Sequence, residues 1–271
     1  MRRHPCVGAL AAAAAGVCLW GPVPVAAQNP PPPVAPAVIA RDEARRATIR
    51  AVKLAEPLRI DGKLDEAVYG TTPPITDFIQ TMPRNGAEPT ERTEAWVMFD
   101  AANFYVSARC WDSAPPDRWI ANEMRRDANQ VRQNDHFGFM IDTFHDRRNG
   151  YVFYSNPVGG RIDLSEADEG NSNSDWNPVW EVRTGRLEGG WTIEIALPFK
   201  SVRYVSGASQ EWGIQMRRAI RRKNEWVHLT PLPMSVGGST GLPPMSRPLL
   251  RLCATIVNPI ASTSKTPVAS G

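Results

Sequence analysis

Between about residue 49 and residue 233, apolar and polar side chains alternate in short runs, and turn residues interrupt the runs at close intervals. Phe104, Val106, Ala108 and Cys110 share one parity, and Tyr105, Ser107, Arg109 and Trp111 the other. A period of two sends successive side chains to opposite faces of a strand. The same reading predicts strands at Glu94–Phe99, at His136–Phe144 with Phe137, Phe139 and Ile141 inward, at Tyr151–Ser155 and at Val179–Thr184. It also predicts Trp191–Leu197, with an apolar face of Trp191, Ile193, Ile195 and Leu197, and a last basic hairpin from Trp212–Ile220 and Glu225–Thr230. Asp100-Ala-Ala-Asn103 and Glu188-Gly-Gly190 are turns. Asp146-Arg-Arg-Asn-Gly150 is a hairpin turn, because Asn-Gly tolerates positive φ. One short helix is predicted at Leu64–Tyr69. Helical periodicity is otherwise nearly absent, so no long helices separate the strands as a parallel sheet requires. The expected fold is all-β: an antiparallel β-sandwich of two sheets packed face to face, with one short helix.

The two ends differ from this middle. Arg2, Arg3 and His4 precede an apolar run from Val7 to Trp20, too short to span a bilayer, and Val25-Ala26-Ala27 supplies small residues for cleavage. Residues 1–27 are therefore expected to be a signal peptide, and the protein to be exported, whether periplasmic, outer-membrane-associated or secreted. Residues 28–48, opened by Pro30–Pro33, are a Pro-rich linker. Residues 49–233 form the sandwich. Residues 234–271, rich in Gly, Ser, Thr and Pro, are a low-complexity tail expected to be disordered.

Composition narrows the function. Formal net charge is +3, of which Arg2 and Arg3 supply two, so the exported chain lacks the basic excess that nucleic acid demands. Of four cysteines, Cys6 and Cys18 leave with the leader. Cys110 and Cys253 alone make neither a disulfide framework nor a zinc site, and Cys110 fits the core. The chain has no Gly-x-Ser-x-Gly, P-loop, His-Glu-x-x-His or Cys-x-x-Cys motif. His136, His145 and His228 are isolated in sequence. Glu181 and Glu194, on the polar sides of two predicted strands, are either a glycosidase pair or part of a solvated sheet face with Arg183 and Arg217. Arg217-Arg218-Ala-Ile-Arg221-Arg222-Lys223 is either a solvated hairpin paired with acids or a surface for an acidic polysaccharide or lipopolysaccharide head group.

Aromatic residues carry more information. Trp96, Trp191 and Trp212 fit the core pattern. Trp176 and Trp180 lie in the polar segment Ser172-Asn-Ser-Asp-Trp-Asn-Pro-Val-Trp180, flanked by Asp175 and Asn177. Such an arrangement offers flat plates for a sugar ring beside hydrogen-bonding groups, or else plugs the sandwich end. Trp111 and Trp119 are candidates for a second plate. No cofactor is required, but Asp61 with Asp65, and Asp142 with Asp146, are candidate ligands for a structural calcium ion; turn and capping roles explain the same residues.

Several segments together resemble one family. They are Ile60-Asp-Gly-Lys-Leu-Asp-Glu66, Phe104-Tyr-Val-Ser-Ala-Arg-Cys-Trp-Asp112, Asn134-Asp-His-Phe137, Asp142-Thr-Phe-His-Asp-Arg-Arg-Asn149, Asp175-Trp-Asn-Pro-Val-Trp-Glu181 and Gly190-Trp-Thr-Ile-Glu-Ile-Ala-Leu-Pro-Phe-Lys200. In this order they resemble the family 9 carbohydrate-binding modules, over residues 49–233. Tyr69 stands near where the family's opening signature ends in Trp. The resemblance implies a jelly-roll-like sandwich, sugar held between aromatic side chains, calcium in some members, and association with polysaccharide breakdown or uptake. It is similar to the exported branch that precedes an outer-membrane-associated region, although here a Pro/Ser/Thr-rich tail follows instead. The expected function is non-catalytic binding of a polysaccharide or oligosaccharide by a monomer. The alternatives are a glycoside hydrolase and a structural periplasmic domain contacting the outer membrane or an envelope protein.

Overall fold

The alternating runs form strands wherever one face can be buried against a second sheet. The computed structural model describes residues 38–167, 171–207, 209–232 and the backbone of 254–258. Its strands are β1 (Ile39–Arg41), β2 (Ala47–Arg50), β3 (Val52–Lys53), β4 (Ile79–Met82), β5 (Thr93–Phe99), β6 (Asn103–Trp111), β7 (His136–Asp142), β8 (Gly150–Ser155), β9 (Arg161–Ala167), β10 (Asn171–Asn173), β11 (Glu181–Leu187), β12 (Gly190–Pro198), β13 (Gln210–Ile220), β14 (Glu225–His228) and β15 (Ala254–Asn258). One short α-helix, α1 (Ala67–Thr71), begins three residues later than predicted. No helix among the described residues is long and apolar enough to cross a membrane.

The strands make two sheets. One has the order β11-β12-β6-β5-β3; the other runs β1-β2-β15-β13-β7-β8-β9-β10, with β14 pairing both β13 and β4. Pairing is antiparallel except for β2 with β15 and β3 with β5, which are parallel. Between the sheets lies the main core. It takes Val106, Ala108 and Cys110 from β6, Ile193, Ile195 and Leu197 from β12, Phe137, Phe139 and Ile141 from β7, and Trp212, Ile214 and Met216 from β13. The sets on β6, β7 and β12 are the inward parities read from the sequence. Cys110 is free and buried, which pushes its thiol up to about 12 and leaves it inert. Two smaller apolar clusters cover the outer faces. Leu64 and Tyr69 of the α1 region pack on Trp96, Met98 and Tyr105, with Tyr69 edge-on to Trp96 at 5.3 Å. Val131 and Leu232 pack on Met140, Val152 and Tyr154.

Two boundaries move. The stretch read as linker through residue 48 contains β1 and β2, which pair as a hairpin and bury Ala47 and Ile49 in the core. The tail read as disordered from residue 234 contains β15, which joins β13 to β2. Residues 1–37, Cys253 and most of the tail lie outside the described residues. The β7–β8 turn also differs. Its positive φ angles fall at His145 (52°) and Arg147 (60°) rather than at Asn149-Gly150. The carboxylate of Asp142 accepts the backbone N–H of Arg147 (2.7 Å), and that of Asp146 accepts those of Arg148 and Asn149, so side-chain acceptors hold the strained turn.

The loop before α1 is fixed by Glu194 of β12, fully buried on the outer face. Its carboxylate accepts the backbone N–H groups of Asp61 (3.1 Å) and Gly62 (2.8 Å) and the Tyr69 hydroxyl (2.9 Å). Gly62 has φ +86°, and a Cβ there would meet the Thr184 carbonyl at 2.8 Å, so the loop approaches β11 only as glycine. Burial outweighs these bonds and raises the Glu194 carboxyl to about 7. A raised carboxyl pKa means that the folded chain binds the proton more tightly than the unfolded one. Its contribution to stability is therefore present at acid pH and is lost between about pH 4.5 and about pH 7, by about 3 kcal/mol in all. Glu194→Gln is expected to flatten the stability profile over that window, as measured by urea titrations at stepped pH. An unchanged slope would disprove the assignment.

Candidate functional site

On β13 the core takes Trp212, Ile214 and Met216, so Gln215, Arg217 and Ala219 point to the outer face of the larger sheet. Register carries this parity across the sheet. Arg217 lies opposite His228 on β14 and Gly138 on β7, and Gly138 lies opposite Tyr154 on β8. One step along, Ala219 lies opposite Trp226 and His136. The outer face thus carries a patch whose floor is Gly138 and Ala219, with Trp226 on one side and Tyr154 on the other. Only glycine fits at 138: a Cβ there would stand 2.0 Å from the Tyr154 ring and 2.3 Å from the Phe153 carbonyl.

Arg217 occupies the middle. Its guanidinium carbon lies 4.5 Å from the centre of the Trp226 indole and 5.6 Å from that of the Tyr154 ring. His136 meets Tyr154 edge-on at 5.2 Å. Arg132, from the 3-10 turn Asn129–Gln133, is near enough for its charge to act on His136 and Arg217.

Buried polar atoms without partners set this patch apart. They are Nε and Nη2 of Arg217, Nε2 of His136, the Tyr154 hydroxyl, Nε1 of Trp226 and Nε of Arg132. Each costs about 1–3 kcal/mol when left unmade, and native proteins rarely bury several together. The chemistry of the set is mixed. Nδ1 of His136 lies 2.9 Å from the Asn134 carbonyl, which only accepts, so Nδ1 carries the proton and Nε2 is a bare acceptor. Burial, then the charge of Arg217, holds His136 well below its usual pKa, so the ring is neutral at pH 7. The indole and guanidinium groups only donate; the phenol does both. The patch therefore offers donors and an acceptor between two aromatic rings.

The predicted site residues fall elsewhere. Trp180 is buried and donates from Nε1 to Asp163 (2.7 Å), while its ring packs edge-on against Phe153. It is a core residue, because Pro178 and β11 draw it under the sheet. Trp119 is likewise buried, donates to the Ala114 carbonyl (3.0 Å) and lies under the guanidinium of Arg186. Trp176 is half-buried and lies against Tyr151 at 4.8 Å; its neighbours Asp175 and Asn177 are exposed. The structure thus makes no paired Trp176–Trp180 platform. Trp111 and Asp65 come together with Arg109 and Arg186 around a groove of about 270 Å³ on the other sheet.

The remaining pairs resolve in the same way. Glu181 is exposed beside Arg183, whereas Glu194 is sealed under the Asp61–Gly62 loop, so these two carboxylates cannot flank a substrate. Arg217, expected as their partner, lies on the opposite sheet. Asp61 pairs with Arg59 (2.8 Å) and caps Lys63, and Asp65 lies 3.5 Å from the same guanidinium. Asp142 and Asp146 are turn acceptors. No group of three or more His, Cys, Asp or Glu among the described residues could hold a metal ion. The basic run is not one solvated surface. Arg217 and Arg218 are buried on opposite faces; Arg218 lies 3.9 Å from Asp112, Arg222 pairs with Glu91 and Asp112, and Lys223 pairs with Glu91.

Sequence reasoning missed Arg217, Trp226, Tyr154, His136 and Arg132 as a group. The available signal was parity on β13, where Arg217 alternates with core residues. The partners come from three other strands and a turn.

No family model and no curated protein matches the sequence. Solved structures do. A family 9 carbohydrate-binding module from Caldicellulosiruptor kristjanssonii, solved with glucose, aligns over 81% of this chain and 100% of its own, at 15% identity and a TM-score of 0.52. The same kind of module from that organism, solved with cellotriose, aligns over 82% and 100%, at 15% identity and 0.50. A protein from Bacteroides uniformis aligns over 78% and 98%, at 11% identity and 0.56. The chain thus has the all-β sandwich fold of the family 9 carbohydrate-binding modules.

Proposed function

We propose that this chain is a non-catalytic carbohydrate-binding module, and that it binds saccharide at the outer-face patch of Arg217, Tyr154, Trp226, His136 and Arg132. The observation that carries the reading is the cluster of buried, unpartnered donors and acceptors between two aromatic rings. A pyranose has C–H faces that pack on aromatic planes and hydroxyl groups that both donate and accept. Nε2 of His136 would take a hydroxyl proton; Trp226 Nε1 and Arg217 would donate to hydroxyl oxygens. The orphaned atoms are enclosed, so a sugar enters by displacing apolar cover, of which Val131 and Leu232 come from outside the sheet. The fold's neighbours, solved with glucose and with cellotriose, support the same reading. Export by the N-terminal leader and a role in polysaccharide breakdown or uptake belong to this proposal.

A glycan array followed by calorimetry on the full chain tests it. Tyr154→Phe removes one orphaned hydroxyl without opening a cavity and is expected to weaken saccharide binding about 10-fold. Trp226→Leu, which also removes the indole plane, is expected to weaken it about 100-fold. Trp176→Ala is expected to leave affinity unchanged. Binding lost in Trp176→Ala and kept in the other two would move the site to the half-buried Trp176–Tyr151 pair.

A further inference from the structure

Charge at the patch narrows the ligand further. The Arg217 guanidinium is 3% exposed as a residue, yet no carboxylate pairs with it among the described residues. Arg132 and Arg221 add two more guanidinium groups nearby, and both repel Arg217. Among the described residues, the charge of Glu166 acts on Arg132, and Glu166 also accepts from Ser172. A buried cation without a counter-ion is unfavourable by several kcal/mol, so a ligand that supplies one is favoured over a neutral ligand.

The free atoms of Arg217 also have a shape. Nε and Nη2 lie on one edge of the guanidinium, and their N–H bonds run parallel. That edge matches the two oxygens of a carboxylate. The same chain uses it elsewhere: Arg125 donates from Nε to Oε1 of Glu123 (3.0 Å) and from Nη2 to Oε2 (2.7 Å). At Arg217 the identical edge meets no carboxylate among the described residues, with the Tyr154 hydroxyl as its polar neighbour.

We propose that the patch recognises an acidic saccharide, a uronic acid residue whose carboxylate takes the free edge of Arg217 while its ring packs beside Trp226 and Tyr154. This rests on the carbohydrate-binding reading above and names the class of sugar. Arg132 would neutralise the remaining charge, and the Tyr154 hydroxyl, Trp226 Nε1 and His136 Nε2 would meet ring hydroxyls.

The test compares glucuronic-acid- and galacturonic-acid-containing oligosaccharides with the same molecules after reduction of the carboxyl group to an alcohol. Calorimetry on the full chain is expected to show the acids binding about 10- to 100-fold more tightly than their reduced forms. Arg217→Met should abolish that difference. Arg217→Lys, which keeps the charge and loses the parallel edge, should remove most of it. Equal binding of acid and reduced forms would overturn the acidic preference and leave the carbohydrate reading intact. Binding of neither form at millimolar concentration would overturn both. Binding of a sulfated or phosphorylated sugar with no response to uronates would overturn the carboxylate assignment.

Discussion

Arg217→Met is expected to make the chain more stable and, at the same time, unable to hold an acidic oligosaccharide. The two effects have one cause. In the free protein the guanidinium is desolvated, and its Nε and Nη2 find no acceptor. Stacking on Trp226 at 4.5 Å returns about 1–2 kcal/mol. That is less than the cost of a buried charge and two unmade hydrogen bonds, which is several kcal/mol. Methionine keeps the apolar stem, fills the space between the rings and carries no charge. The substitution should stabilise by about 1–4 kcal/mol, roughly 2–4 °C of melting temperature per kcal/mol for a chain of this size. Affinity should fall by about two orders of magnitude, because the removed donors are those the ligand would satisfy. Differential scanning calorimetry beside titration calorimetry reads both. A destabilised variant that still binds would show Arg217 to be an ordinary structural residue.

The next residue should respond in the opposite sense. Arg218 points between the sheets, where it is 1% exposed. Nη1 donates to the Arg92 carbonyl (2.8 Å) and the Thr93 hydroxyl (3.1 Å), and Nη2 donates to the Trp111 carbonyl. The Asp112 carboxylate is 3.9 Å away, and the buried Asp135 also feels its charge. This one side chain therefore ties β13 to the ends of β5 and β6. Arg218→Met would remove a donor from three acceptors and the shared cation from two buried carboxylates, a loss of about 3–5 kcal/mol. Urea unfolding of Arg218→Met and Arg217→Met under the same conditions should move the midpoints in opposite directions. Two shifts of the same sign would show that outward and inward arginines on this strand do not differ as the hydrogen bonding implies.

The contrast between these neighbours shows what a sequence can carry. Alternation is local, so the inward sets on β6, β7 and β12 were legible, and with them the sandwich. The indole of Trp96 was read as core correctly, although it lies under α1 rather than between the sheets. Short strands at the edges were not legible. β1 and β2 follow a proline-rich start, and β15 is a five-residue run within a Gly/Ser/Thr/Pro background; each is a strand only because a neighbouring edge offers free backbone groups. The Asn149-Gly150 turn was placed correctly but its backbone was not, because Asp142 and Asp146 supply the acceptors that decide which residues take positive φ.

The site depended most on the third dimension. Trp176 and Trp180 are four positions apart and looked like a pair, yet one ring is half-open and the other sealed against Phe153. Trp226 and Tyr154 are far apart in sequence and lie on either side of one guanidinium. The sequence by itself determined the class of fold, because a two-residue period makes strands with one apolar face, and such faces are buried only against one another. Which arginine is structural and which waits for a ligand was decided by the tertiary structure alone. Hydrogen-bond satisfaction is a property of what surrounds a group, and those surroundings come from strands that only register brings together.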